Sequence, residues 1–329
     1  MTSRPSPRSR ARWRESLRRS WVERVTVFGL LAHGDPTTFN FTTGLLGDSK
    51  IVVHVDSRSS LTGYRAQSPR MRYVQDRVAV RWAGFSQVEA TLRVYEQALT
   101  MIDDPAEHVV LLSGQCVLLR PPSELEHHLR TSPWGQHCRA GRLFDGLARN
   151  EQRVLRKWAF DQFDARLRPP MRHINAAARR LVQVVGGERR TEEFDDLTVV
   201  AGSNWTALTA ACIEDILSRE LLVSRARDVL KYAMGPDEIF FHTLLHSTEW
   251  GEDTATPRPE AKGDRRTADF SNLHFIHPSL TKFIELSDIA GLRASGRFFG
   301  RKADLAATPI LMPPLAQMAR GQTGEGPPP

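Results

Sequence analysis

Short apolar runs that alternate with amphipathic stretches constrain this chain most. VTVFGLLA (25–32), IVVHVD (51–56), RVAVRW (77–82) and HVVLLSG (108–114) each read as a buried strand bounded by turn residues. Between the last two, Val88, Leu92, Tyr95, Leu99 and Ile102 recur at spacings of four and three, which places them on one helix face. Strands alternating with helices predict an α/β fold with a mostly parallel central sheet flanked by helices. Ligands in such sheets lie beyond the carboxyl ends of the strands, where His33, Asp56 and the Ser113-Gly114 pair fall.

The second half is less regular. Residues 115 to about 196 are rich in arginine, with a helix expected over Ile174–Val185 and a charged surface connection over Gly186–Asp196. LTVVAGSNWTALTAACIEDIL (197–217) reads as strand, turn and helix, with Asn204 as the cap and Leu208, Ala211, Cys212 and Ile216 on the buried side. MGPDEIFFHTLLHST (234–248) reads as a helix start, because Pro suits a first turn and acids suit its positive end. That puts Glu238 in the first helical turn, where backbone N–H groups would keep its carboxylate ionised. Such an acid is either a plain helix cap or a general base. A polar loop (249–269) leads to NLHFIH (272–277) as the last strand, and Ser287–Asp304 ends in FFGRKAD. The expected division is a basic tail (1–24), one folded domain (25–304, with halves meeting at about residue 120) and a loose Pro/Gly-rich end (305–329).

Charge is concentrated. The formal charge is +7, yet residues 1–20 hold seven arginines against Glu15, about +6, so the remainder is nearly neutral. The tail suits an anionic membrane face and carries no signal for a specific nucleic acid. An anionic-polymer binding protein is a competing reading, though it leaves the motifs of the body unused. No apolar run reaches about 18 residues, and Trp21-Val22 runs straight into Glu23-Arg24, so neither a membrane span nor a secretory signal is expected. Three scattered cysteines, Cys116, Cys138 and Cys212, argue against a disulfide framework. The expected location is cytoplasmic, with peripheral membrane contact through the tail.

Several segments resemble, in order, the Core-2/I-branching β-1,6-N-acetylglucosaminyltransferases and peptide O-xylosyltransferases. LLAHGDP is similar to the family's opening strand, KIVVHVDSRSS to its HVD segment, and VRWAGFSQVEATL to its WGG-type turn and helix. HVVLLSGQCVLL is similar to its LSG segment, AGSNW to its GSxW turn, GPDEIFFHTLL to its PDE-type helix start and FFGRKAD to its FARKF ending. The resemblance covers roughly residues 25–304 and implies a GT-A type fold that transfers a sugar from a UDP-sugar with inversion. N-acetylglucosamine is the first donor it implies and xylose the second, with a glycan or other hydroxyl acceptor; a catalytically weak nucleotide-sugar binder is a further possibility.

Inverting transfer needs one carboxylate to take the acceptor's proton and positive charge on the departing diphosphate. By motif, Glu238 matches the family's base and Lys302 its diphosphate-binding lysine, with Arg301 and Arg297 as reinforcement. Asp56 is the candidate for uracil or ribose contact, with Trp82, Ser113 and Gly114 in the same crevice, and Ser203 and Trp205 are candidates for the acceptor. HVDSR supplies only Asp56, so the resemblance implies catalysis without a metal or other cofactor, the cations standing in the metal's place. Glu238, His242 and His246, each four apart, are the competing zinc set, although HTLLH lacks the glutamate of HExxH. Two departures stand out: His274 replaces an arginine usual in the last strand, and Gln115 an aspartate usual after Ser-Gly.

Overall fold

A computed structural model describes residues 26–277, 279 and 282–322; the predicted tail at 1–24 lies outside the described residues. In chain order the strands are β1 (Val27–Ala32), β2 (Lys50–Val55), β3 (Met71–Tyr73), β4 (His108–Ser113), β5 (Val117–Leu118), β6 (Ala140–Arg142), β7 (Val200–Gly202), β8 (Ala207–Thr209), β9 (His274–Ile276) and β10 (Phe299–Arg301). The helices are α1 (Thr37–Leu45), α2 (Ser86–Leu99), α3 (Pro122–Thr131), α4 (Ala148–Leu155), α5 (Met171–Gly186), α6 (Ala210–Ser218), α7 (Glu220–Leu230), α8 (Phe240–His246), α9 (Ile289–Ala294) and α10 (Met312–Ala319).

The central sheet has the order β3-β2-β1-β4-β8. Its first four strands are parallel and β8 runs antiparallel to β4. Successive side chains of each strand point to opposite faces. Val27, Val52, Val109 and Leu111 therefore join one core, with Val88, Val94 and Tyr95 of α2. Phe28, Leu30, Ile51, Val53, Val110 and Leu112 join the other, against Phe39 of α1. Close packing of α2 depends on Gly29, where an added Cβ would stand 2.5 Å from Val94 Cγ1.

Several expected elements fall elsewhere. The third strand is MRY (71–73), not RVAVRW, which runs across the carboxyl end of β2 without a strand partner. Single bonds hold it there: Val78 N–H donates to His54 Nε2 (2.8 Å), and Ser57 N–H to the Val78 carbonyl (3.0 Å). Segment 197–217 contains a second strand, β8, between the turn and α6. Thr209, not Asn204, caps α6, its hydroxyl accepting from Cys212 N–H (3.3 Å). Helix α5 forms where expected but buries none of its residues.

The C-terminal part closes the molecule. β9 is not the last strand: β10 pairs parallel with it and antiparallel with β5, which follows directly on β4. Ala303 N–H then bonds the Gln115 carbonyl (2.9 Å), so Arg301 and Lys302 are fastened beside the carboxyl end of β4. Residues after 304 are not a loose end throughout, because Leu305, Leu311 and Leu315 are fully buried with Val117 and Ile284, and α10 completes that third core. Among the described residues, no helix is long and apolar enough to cross a membrane.

Candidate active site

A cleft of about 540 Å³ opens at the carboxyl ends of β1, β2 and β4, within the roughly 300–1,000 Å³ of small-molecule sites. Asp56, Trp82, Ser113, Ser203, Trp205, Glu238, Arg301 and Lys302 all line it. Gly114 does not: its N–H bonds the Leu31 carbonyl (2.9 Å) and a Cβ there would stand 3.2 Å from that of Ala32, so it permits the close crossing of β1 and the turn after β4.

The acid end is built on the turn before α8. Gly235, at φ +65°, takes the left-handed conformation that suits glycine, Pro236–Glu238 form a 3-10 turn, and Ile239 breaks it before the α-helix begins. Glu238 thus precedes the helix, and a buried arginine, not backbone N–H groups, fixes its carboxylate. Arg153 of α4 donates to Glu238 Oε2 (2.8 Å) and also to the Met234 and Gly235 carbonyls. Oε1 has no hydrogen-bond partner among the described residues, and the side chain is 32% exposed. Beside it, buried Asp237 accepts from Gln87 Nε2 (3.1 Å) and Asn204 Nδ2 (3.0 Å). Burial and then the negative charge of Glu238 push the Asp237 carboxyl up to about 7, against the pull of Arg153.

The cleft also holds cations. The Arg301 guanidinium lies 4.2 Å from the Trp205 ring centroid, and its buried Nε has no hydrogen-bond partner among the described residues. Burial lowers its pKa, with Cys116, Asp237 and Glu238 acting the other way. Lys302 is lowered too, by burial and then by the nearby charges of Arg301 and Arg166. Neither Arg301, Lys302 nor Arg166 has an ion-pair partner among the described residues, although four carboxylates line the same cleft. Two of those, Asp56 and Asp164, are committed to Arg58, which Asp56 grips at both oxygens (2.8 and 3.2 Å). Arg81 adds a 2.6 Å bond to Asp164. Burial opposes the Asp56 charge, but Arg58 outweighs it and holds the carboxyl below its usual range.

The expected residues differ in their surroundings. Asp56 lines the cleft with its carboxylate held by Arg58. Trp205 lines the cleft too, 6% exposed, with Arg301 over its ring. Arg297 does not line the cleft; it donates to the Asn272 carbonyl. His274, where the resemblance has an arginine, is buried and stacked on Phe299 (4.9 Å between centroids), and burial drives its pKa well below the usual value. For the zinc set, His242 Nε2 bonds the Ser203 carbonyl (3.0 Å) and Glu238 is paired with Arg153. Among the described residues, no group of three His, Cys, Asp or Glu side chains is placed to share a metal ion. Sequence reasoning missed Arg153, Asp164 and Arg166, which come from segments without a motif, and gave no site role to Arg58, Asn204 and Asp237, which lie inside the HVDSR, GSNW and PDE segments that did signal them.

A family model for the Core-2/I-branching enzyme matches residues 48–261. The match, with the parallel sheet and the cleft at its carboxyl edge, places the chain in a glycosyltransferase family with a GT-A-like fold. The chain belongs to the Core-2/I-branching enzyme family. It is 26% identical over 202 residues to xylosyltransferase 1 of Canis lupus familiaris and to that of Homo sapiens, and 25% identical to that of Rattus norvegicus. These alignments span 60% of this chain but only 19–22% of each relative, so the chain covers about a fifth of those proteins.

Proposed function

We propose that the protein is an inverting glycosyltransferase that moves a sugar from a UDP-sugar to an acceptor hydroxyl. One observation carries this reading: a partly exposed carboxylate, Glu238, shares a cleft with Arg301 and Lys302, cations without a carboxylate partner among the described residues. The acceptor oxygen attacks the anomeric carbon while Glu238 Oε1 takes its proton. The bond from that carbon to the diphosphate oxygen breaks on the far side, and the electron pair leaves with UDP. Arg301 and Lys302 meet the charge that develops there, in the position a metal ion would otherwise take.

N-acetylglucosamine is the donor the family resemblance favours; the matched relatives are named xylosyltransferase, which favours xylose as the second reading. Survival of both the acid and the cations in one cleft argues against a member that only binds nucleotide sugars. The seven tail arginines and the buried, unpaired Cys116, Cys138 and Cys212 support a cytoplasmic location with peripheral contact at an anionic membrane face.

The test is UDP release from a panel of UDP-sugars, with and without hydroxyl acceptors. Acceptor-dependent release from UDP-N-acetylglucosamine or UDP-xylose is expected. It should persist in EDTA and fall by roughly tenfold to a hundredfold in Lys302→Ala, the loss of one charge-assisted phosphate contact. Activity that vanishes in EDTA and returns with manganese would overturn the metal-free mechanism.

A further inference from the structure

The carboxylates of the cleft are all committed, and three of its cations are not. Glu238 is held by Arg153, Asp237 accepts from Gln87 and Asn204, and Asp56 grips Arg58. Asp164 is occupied at both oxygens: Oδ2 accepts from Arg58 (3.2 Å) and Arg81 (2.6 Å), and Oδ1 from the Arg166 N–H (2.8 Å). The guanidinium of Arg166 is left, like Arg301 and Lys302, without an ion pair among the described residues, and it lines the same cleft. Its place is fixed all the same. It lies over the half-exposed ring of Trp82, 5.2 Å from the centroid, and Trp82 packs edge-on against Phe160 (5.6 Å between centroids). The backbone before it is tied down, because Asp161 accepts from the Phe85 N–H and the Ser86 hydroxyl at the start of α2 (both 2.6 Å). Asn175 Nδ2 also donates to the Asp164 carbonyl (3.0 Å).

Like charges gathered in one cleft repel. Lys302 is lowered by burial and then by the charges of Arg301 and Arg166; His33 is lowered by burial, with Asp56 opposing and Arg166 and Arg301 adding to it. An anionic ligand turns that repulsion into attraction, and a planar guanidinium matches phosphate oxygens in a bidentate way. Through Asp164, Arg166 adjoins Arg58 and Asp56 just beyond β2, and its charge reaches Lys302, which serves the leaving group in the proposed mechanism. The acceptor's proton goes instead to Glu238, which Arg153 holds. We propose that Arg166, from a segment without a motif, binds the diphosphate of the donor together with Arg301 and Lys302. This assignment rests on the transferase reading and adds a residue to its donor site.

Titration of the full-length chain with UDP, by calorimetry, and with uridine, by NMR, tests it in wild type, Arg166→Met and Lys302→Ala. Methionine keeps an apolar stem on Trp82 and removes the charge, and the guanidinium holds no other part of the fold, so the variant should fold as wild type does. Its UDP affinity should fall about tenfold, the low end for a hydrogen bond to a charged group because the residue is exposed. Uridine affinity should match wild type. Added salt should weaken UDP binding less steeply in the variant than in wild type, a change that lost packing would not cause. UDP binding as tight in Arg166→Met as in wild type overturns the proposal, and a loss in Lys302→Ala alone then leaves the transferase reading in place with Arg166 free for an anionic acceptor. Equal losses of UDP and uridine affinity in Arg166→Met also overturn it, as an effect on the shape of the cleft. Wild type that binds no UDP overturns both readings together.

Discussion

Replacing Asp237 by asparagine should make the protein's stability less dependent on pH. The carboxyl sits fully buried beside Glu238, and its pKa is pushed up to about 7 from the usual 3.8. Below about pH 4 both folded and unfolded forms hold the proton. As pH rises, the unfolded chain releases it first, so folding stability falls until the folded state also ionises near pH 7. At about 1.4 kcal/mol per pH unit, the window from pH 5 to 7 alone contributes on the order of 3 kcal/mol. Asparagine has no such proton, and its Oδ1 can still accept from Gln87 and Asn204. Urea unfolding followed by tryptophan fluorescence at pH 5, 6, 7 and 8 would measure the difference. The stability of Asp237→Asn relative to wild type should rise across that range and level off above pH 7. A difference that stays constant with pH would refute the assignment of a proton to this buried carboxyl.

Two further substitutions separate ligand binding from packing. Arg301→Met removes a cation whose charge burial disfavours and keeps an apolar stem on Trp205, so the thermal midpoint should hold or rise. UDP affinity by calorimetry should nevertheless drop roughly tenfold to a hundredfold, the value of a hydrogen bond to a charged group. Gly29→Ala should cost about 1–3 kcal/mol in denaturant titrations, because the new methyl meets Val94 Cγ1 at 2.5 Å between a strand and a helix that are both held in the core.

The sheet was legible because its strands announce themselves: β1, β2 and β4 are continuous apolar runs, and their order with α2 follows from the alternation of periods. RVAVRW misled because its alternation imitates a strand, whereas its hydrogen bonds go to His54, Ser57 and Asp56 at the sheet's end. The buried helix at 312–319 was missed because MPPLAQMA looks loop-like; its two prolines fall at the helix start, where no N–H is needed. Motif and position singled out Glu238, Arg301 and Lys302, which line one cleft. What locks them came from elsewhere: Arg153 from α4, and Trp205 packed beneath Arg301. Those partnerships join residues 85 and 96 positions apart, and no local pattern encodes them.

The most direct test of the account compares Glu238→Gln with wild type in UDP-sugar turnover and in UDP affinity. Arg153 can still donate to the glutamine's amide oxygen, so UDP should bind the variant as it binds wild type, while acceptor-dependent turnover falls on the order of 100-fold or more through loss of the base. Turnover at the wild-type rate in Glu238→Gln would contradict the proposed chemistry.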